Sequence, residues 1–260
     1  MAEVTSYAAG TPCWVDLSTS DPEGARRFYG ELFGWEFDIG AEEYGHYTTC
    51  RLRGREVAGM GGDPAPDGMP TAWTTYMATD DADASAKRVT GNGGALVVEP
   101  MDVPPFGRMA IATDSTGAMF GMWQAGELIG SSLVNEPGAV TWNELGTRDL
   151  DAAKRFYSGV FGYGWEDFDT GEGGPEYATF TVEGRSVGGA LREPLPDEVP
   201  AHWTPCFAVA GADATVDTAQ RLGGAVVLAP IDSPFGRYAV LRDPHGAIFS
   251  VLQSNDPAQG

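Results

Sequence analysis

The chain has 260 residues, with 37 acidic against 16 basic side chains and a formal net charge of -21. Its length fits one large or two ordinary domains, and 42% apolar with 20% charged residues supplies a packed core and argues against wholesale disorder. A pI near 4.3 argues against nucleic-acid binding, which needs Lys/Arg stripes, and against an anionic membrane surface.

No apolar run approaches the ~18–20 residues that cross a bilayer. Met1 to Gly10 carries neither a basic stretch nor an apolar one, so no secretory leader is expected. The three cysteines, Cys13, Cys50 and Cys206, are widely spaced and form no CxxC or Cys/His cluster. That usage predicts buried thiols in a reducing cytoplasm rather than disulfides or a zinc site.

Along the chain, Cys13 to Thr19 alternates like a strand. Asp21 is placed as an N-cap with Pro22 at the first helical position, and a helix is expected to about Phe33, with Ala25, Phe28, Tyr29 and Leu32 on one face. Gly34 ends it. Strands are expected near 35–39, 46–52 and 56–60. The pattern then restarts with a strand over Thr74–Thr79 and a helix over Asp81–Val89 that stops at Gly91-Asn92-Gly93-Gly94. Strands follow near 95–98, 108–113 and 118–124.

From Trp142 the chain repeats itself. Trp14 through Asp21 returns as Trp142 through Asp149, and Ala25-Arg26-Arg27-Phe28-Tyr29 as Ala153-Lys154-Arg155-Phe156-Tyr157. Trp73 returns as Trp203, Phe106-Gly107-Arg108 as Phe235-Gly236-Arg237, Asp114 as Asp243 and Gln124 as Gln253. The order never breaks. The expected organisation is a first domain over 1–126, a linker over 127–139 and a second domain over 140–260. Leu128, Ile129, Leu133 and Val134 make the linker too apolar for a free tether. Each half reads as strand–helix–three strands, twice. The expected fold class is α+β: four such modules, with curved, mostly antiparallel sheets carrying helices on one face.

These residues resemble the vicinal oxygen chelate superfamily, which includes glyoxalase I, extradiol dioxygenases and bleomycin-resistance proteins. The resemblance rests on Asp21…Ala25…Phe28-Tyr29…Leu32-Phe33-Gly34-Trp35, on the closing turn Asp243-Pro244-His245-Gly246 and on its looser counterpart Asp114-Ser115-Thr116-Gly117. The repeated Pro-Phe-Gly-Arg (105–108, 234–237) and Asn135-Glu136-Pro137-Gly138 look like a tandem-domain actinobacterial branch. The resemblance spans nearly the whole chain and implies a fold more than an activity. It also implies where metal-dependent members hold their ligands, and those positions here are Trp14, Thr74, Gly121, Trp142, Thr204 and Ser250. None is a good divalent-metal ligand. No metal and no cofactor are therefore expected.

Strand alternation points to what replaces the metal. Trp14, Asp16 and Ser18 share one face, and Trp142, Glu144 and Gly146 share its counterpart. Tyr47, Thr49 and Arg51 line the first cleft, Tyr177, Thr179 and Thr181 the second, with Tyr76 and Cys206 as neighbours from the other modules. The ligand-binding candidates are Trp14, Trp142, Tyr47, Arg51, Tyr76, Tyr177, Thr179 and Cys206. The catalytic candidates are Glu144, Asp16 and His202. A half-buried Asp16 or Glu144 is expected to have a raised pKa unless a cation such as Arg51 pairs with it. Trp73 and Trp203 fall on the opposite parity and read as core. Arg108 and Arg237 are expected to hold their loops to Asp114 and Asp243. His46 and His245 read as solvent-facing or core histidines, with His245 solvated in its turn.

The expected function is metal-independent binding of a small molecule in a glyoxalase-like cleft, its ligand an aromatic or polyketide-like metabolite or antibiotic held in a sequestration, resistance or biosynthetic accessory role. Two alternatives stay open. One is a metal-free isomerase, cyclase, dehydratase or hydroxylation-linked enzyme using a cleft carboxylate as general acid/base. The other is a metal-dependent glyoxalase or dioxygenase with unusual ligands. The expected partner is a small-molecule ligand, with no nucleic acid and no membrane, for a cytoplasmic monomer or homodimer. Differences at cleft positions (Asp16 against Glu144, Arg51 against Thr181, Tyr76 against Cys206) predict unequal clefts.

Overall fold

The first half supplies β1 (Ala2–Glu3), β2 (Pro12–Ser18), α1 (Pro22–Phe33), β3 (Glu36–Ile39), β4 (Thr48–Leu52), β5 (Arg55–Met60), β6 (Ala72–Ala78), α2 (Ala82–Gly91), β7 (Ala95–Val103), β8 (Gly107–Thr113) and β9 (Met119–Ala125). After β10 (Leu133–Val134) the second half supplies β11 (Val140–Thr147), α3 (Leu150–Phe161), β12 (Gly164–Phe168), β13 (Tyr177–Val182), β14 (Arg185–Arg192), β15 (His202–Ala208), α4 (Ala212–Arg221), β16 (Ala225–Ser233), β17 (Gly236–Arg242) and β18 (Ile248–Ser254). The structure, a computed structural model, describes residues 2–62, 70–171, 173–197 and 199–255.

Local chemistry sets the helix ends. The Asp21 carboxylate accepts the Gly24 N–H at 2.8 Å, and Asp149 repeats this with Ala152 at 2.9 Å. Both helices stop at a left-handed glycine, Gly34 or Gly162, which has no Cβ to oppose that conformation. Between those ends, Ala25, Phe28, Tyr29 and Phe33 form the buried stripe of α1, matching the expected face apart from the half-buried Leu32.

Two eight-stranded sheets result, ordered β3-β4-β5-β2-β6-β9-β8-β7 and β12-β13-β14-β11-β15-β18-β17-β16. Apart from β1, which pairs with β10 in a separate two-stranded ribbon, every strand of a half stays in that half's sheet, so modules pair within halves. The sheets are mostly antiparallel, as expected, with parallel pairing confined to β2–β5, β6–β9, β11–β14 and β15–β18. The segment before β11 lies along the first half. Ser131 donates to the Val57 carbonyl at 3.0 Å, and Leu133 is buried.

The cores, in contrast, are shared across halves. One cluster joins Val15, Leu17, Phe28, Tyr29 and Phe33 to Phe207, Val216, Phe249 and Val251. The other joins Met77, Val89, Phe120 and Met122 to Leu145, Phe156, Tyr157 and Trp203. The helix-bearing faces of the two sheets therefore meet, and the helix-free faces look away from each other. At the junction Thr75 donates to Asn143 at 2.9 Å, while Arg88 of α2 donates to the last-turn Val160 carbonyl of α3 at 2.8 Å.

This crossing explains several repeated residues. Trp73 donates to the Tyr29 hydroxyl at 3.1 Å, and Tyr29 donates to Asp243 of the other half at 3.1 Å. Trp203 donates to Tyr157 at 2.8 Å. Tyr157 in turn acts on Asp114, though no hydrogen bond of good geometry closes on Asp114 Oδ2. Both tryptophans are core, as their parity requires. Two expectations need correcting. Arg108 pairs with Asp83 and Asp102, and Arg237 with Asp213 and Asp232, whereas Asp114 and Asp243 are buried and accept N–H groups of their own turns through Oδ1. His245 is not solvated: its side chain is only 20% exposed, with Nε2 lying 3.8 Å from Asp21 at the start of α1.

Candidate functional site

The helix-free face of each sheet carries the same chain of hydrogen bonds. In the first, Trp14 Nε1 donates to the Tyr47 hydroxyl at 2.9 Å, and Tyr47 donates to Asp16 at 3.3 Å. Tyr76 donates to the same carboxylate oxygen at 3.0 Å. In the second, Trp142 donates to Tyr177 at 3.0 Å, Tyr177 to Glu144 Oε1 at 3.0 Å, and Tyr238 to Glu144 Oε2 at 3.1 Å. Each carboxylate thus rests on two phenols, and one phenol is fixed by an indole.

Strand geometry positions these groups. Alternation places Trp14 and Asp16 on one side of β2, opposite Tyr76 and Thr74 of β6. Trp142 and Glu144 of β11 lie opposite Cys206 and Thr204 of β15. Glycine makes the meeting possible: a Cβ at Gly59 or Gly189 would overlap the Tyr47 or Tyr177 hydroxyl. Gly121 serves the ring of Tyr76 in the same way.

The carboxylates have little charge compensation. Burial pushes Asp16 up to about 6, against the opposing pull of the Tyr76 and Tyr47 hydrogen bonds. Burial also raises Glu144, with Tyr177 and Tyr238 pulling down and the nearby charge of Glu193 pushing up. Burial first, then the neighbouring carboxylate, raises Tyr47, Tyr76, Tyr177 and Tyr238, so all four act as neutral donors.

Arg51 does not join Asp16. It pairs with Glu56 at 2.5 Å and Asp38 at 3.7 Å, where the β4–β5 register shifts between Cys50 and Arg51. Thr179 lies half-buried opposite Gly189 on the second face. Cys206 is fully buried there, and burial holds its thiol far above the usual range. His202 lies across from Gly146, with Nδ1 3.0 Å from the Pro200 carbonyl. A Cβ at Gly146 would overlap the Glu193 carboxylate and touch the His202 ring. Glu193 and Tyr238 thus join the second face without having been expected. Their signals were weak: Tyr238 stands where the first half has Met109, and Glu193 lies beyond the repeat's matched motifs.

The ligand positions implied by metal-dependent relatives are filled by other chemistry. Trp14 and Trp142 spend their N–H groups on tyrosines, Gly121 lies beneath the Tyr76 ring, and Ser250 bonds the Pro205 carbonyl. Thr74 and Thr204 are poor ligands for a divalent ion. This donor set does not fit the metal. Among the described residues no group of three or more His, Cys, Asp or Glu side chains is arranged to hold one.

Two cavities lie away from the carboxylates. One of about 270 Å³ is lined by Tyr7, Ala78, Trp123 and Ile129 among others, at one end of the first face. One of about 230 Å³ is lined by Asn92, Ser115, Ala152, Arg155 and Phe156. Neither has Asp16 or Glu144 in its wall. Among the described residues no helix is long and apolar enough to cross a membrane.

Comparison with known proteins agrees with this architecture. The profile of the Glyoxalase/Bleomycin resistance protein/Dioxygenase superfamily matches residues 12–122 and 139–251. CFP32 of Mycobacterium tuberculosis (strain CDC 1551 / Oshkosh), provisionally named a glyoxylase, is 43% identical over 97% of this chain and 98% of its own. The anthracycline biosynthesis protein DnrV of Streptomyces peucetius is 40% identical over 96% of this chain and 95% of its own. The Mn(II)-bound glyoxalase of Novosphingobium aromaticivorans shares the fold with a TM-score of 0.67 at 14% identity, over 96% of this chain and 84% of that one. With two matched regions laid over two sheets of one design, the chain belongs to the glyoxalase/bleomycin resistance/dioxygenase superfamily as a tandem two-domain member.

Proposed function

We propose that the chain binds a flat, hydroxylated aromatic molecule of polyketide type in the second hollow, without a metal at the inherited positions. The observation that carries this is the Trp142–Tyr177–Glu144–Tyr238 chain. It presents a half-buried carboxylate between phenols at a place where metal-dependent relatives need ligands. Phenol and indole surfaces suit a planar ligand. Glu144 suits a ligand hydroxyl or amine, because only neutral hydroxyls hold it now. Relatives named for anthracycline biosynthesis support an aromatic polyketide as the ligand class. The role is sequestration or a biosynthetic accessory step.

A second reading keeps the site and adds chemistry. His202 Nδ1 lies against the Pro200 carbonyl, which leaves Nε2 for a ligand proton, and both the His202 ring and the Glu193 carboxylate stand over Gly146. Burial raises the proton affinity of Glu144, which suits it to giving and taking a ligand proton. Titration with alizarin, a flat dihydroxyanthraquinone, tests binding, with Glu144→Gln and elemental analysis run beside it. Saturable quenching in metal-free protein is expected. Near-stoichiometric Mn, Fe, Ni or Zn in active protein would overturn the metal-free reading. Product formed from a bound polyphenol, and lost in Glu144→Gln, would favour the enzyme.

A further inference from the structure

The outermost strands of each sheet lie at opposite edges, yet a ring from each side meets its opposite number. Tyr44, which follows β3, has its centroid 5.8 Å from Phe106 at the β7–β8 turn. Phe168, at the end of β12, lies 5.1 Å from Phe235 at the β16–β17 turn, with the rings tilted by 39°. Each sheet therefore curls until its two ends touch through an aromatic pair.

Phe106 and Phe235 are the phenylalanines of the repeated Pro-Phe-Gly-Arg, and the arginines show how they are held. Arg237 grips both oxygens of Asp213 at 2.6 and 2.9 Å and reaches Asp232 at 2.9 Å. Arg108 grips Asp83 at 3.0 Å through two bonds and Asp102 at 2.7 Å. A bidentate guanidinium fixes orientation as well as distance. Each turn is pinned to the start of a helix while its phenylalanine faces water: Phe235 is 51% exposed. Behind Phe168 stands Tyr177, edge to face at 6.2 Å, and Tyr177 bonds Glu144. An unbroken aromatic path runs from the rim to the carboxylate.

We infer that Phe168 and Phe235 form an aromatic latch over the second hollow, which parts to admit a planar aromatic molecule and then lies against its faces. This rests on the second hollow being the binding site. A single ring pair is a weak contact, so it opens readily, and its two flat faces suit a polycyclic occupant better than an aliphatic one. With the Phe235 turn pinned by Arg237, opening falls to Phe168 and the edge strand that carries it.

Cys206 reports on the latch without any ligand, since it is buried on the same face. The full-length protein is treated with 4,4′-dithiodipyridine, a flat neutral disulfide that releases 4-thiopyridone on thiol attack, and peptide mapping assigns the modified cysteine. Phe235→Ala and Phe168→Ala are expected to speed Cys206 modification about tenfold or more, with Cys13 and Cys50 still protected. Val97→Ala, at another exposed apolar position, leaves the rate as it was. Cys206 rates within about twofold of the parent in both phenylalanine variants would overturn the latch. So would equal acceleration at all three cysteines, which marks a loosened fold. Should Cys206 follow the latch while alizarin fails to quench the protein, the binding reading falls and the latch stands.

Discussion

The two hollows keep one hydrogen-bond pattern and build it from different parts. In the first, the second phenol is Tyr76 on β6; in the second it is Tyr238 on β17, with Cys206 at the Tyr76 position and Met109 at the Tyr238 position. The duplicated chain therefore preserves a carboxylate between two hydroxyls rather than a residue at a site. The hollows differ in access. The first is more closely packed around its indole: Trp14 is 5% and Tyr76 6% exposed, against Trp123, Tyr7, Met109 and Leu128, while Asp16 and Tyr47 stay half-buried. The second leaves Trp142, Tyr177 and Tyr238 half-buried and adds Glu193 and His202. That difference in access is the reason the proposed binding role is given to the second hollow.

Tryptophan removal separates the two most sharply. Trp14→Ala should cost about 3–5 kcal/mol, since it empties a packed volume and removes the hydrogen bond that the Tyr47 hydroxyl accepts. Trp142→Ala should cost only about 1–2 kcal/mol, because part of its surface already meets water. Denaturant titration of both variants checks this, and equal losses would erase the contrast. Next is the ligand: Glu144→Gln should weaken alizarin binding about tenfold, whereas Asp16→Asn should leave it nearly unchanged.

The pH dependence sharpens the comparison further. Asp16 has a raised pKa, near 6 against an ordinary 3.8, so the native state holds its proton more tightly than the unfolded chain does. Its contribution to stability is present below the ordinary carboxylate range and lost as pH rises through about 6. Relative to wild type, Asp16→Asn should gain on the order of 2 kcal/mol between pH 4 and pH 7, seen as a difference in denaturation midpoints. A gap that is constant with pH would mean that Asp16 titrates normally. The smallest effect concerns thiols. Burial raises Cys13, Cys50 and Cys206, so none should react with a thiol reagent within minutes in the native protein, and all three should after unfolding.

Much of this was legible in the sequence, for definite reasons. The repeat, the caps at Asp21 and Asp149, and the glycine stops are local signals, and they located the elements. Strand parity put Trp14 with Asp16 and Trp142 with Glu144, because alternation survives any tertiary arrangement. What sequence reasoning missed depends on non-local pairing. Arg51 faces Glu56 because a register shift intervenes. His245 reaches Asp21 because the closing turn of one half sits over the first helix of the other. Tyr238 enters through a strand far along the chain from Glu144, and only its mismatch with Met109 marks it. The sharing of cores across halves leaves no local trace, though the paired Phe-Tyr and closing-turn Asp motifs were its parts all along.

The most direct test compares alizarin titrations of Trp14→Phe and Trp142→Phe in metal-free protein. Saturable quenching should persist in Trp14→Phe and largely vanish in Trp142→Phe. Quenching that instead disappears with Trp14, or appears only when a divalent metal is supplied, would contradict the assignment of a metal-free aromatic site to the second hollow.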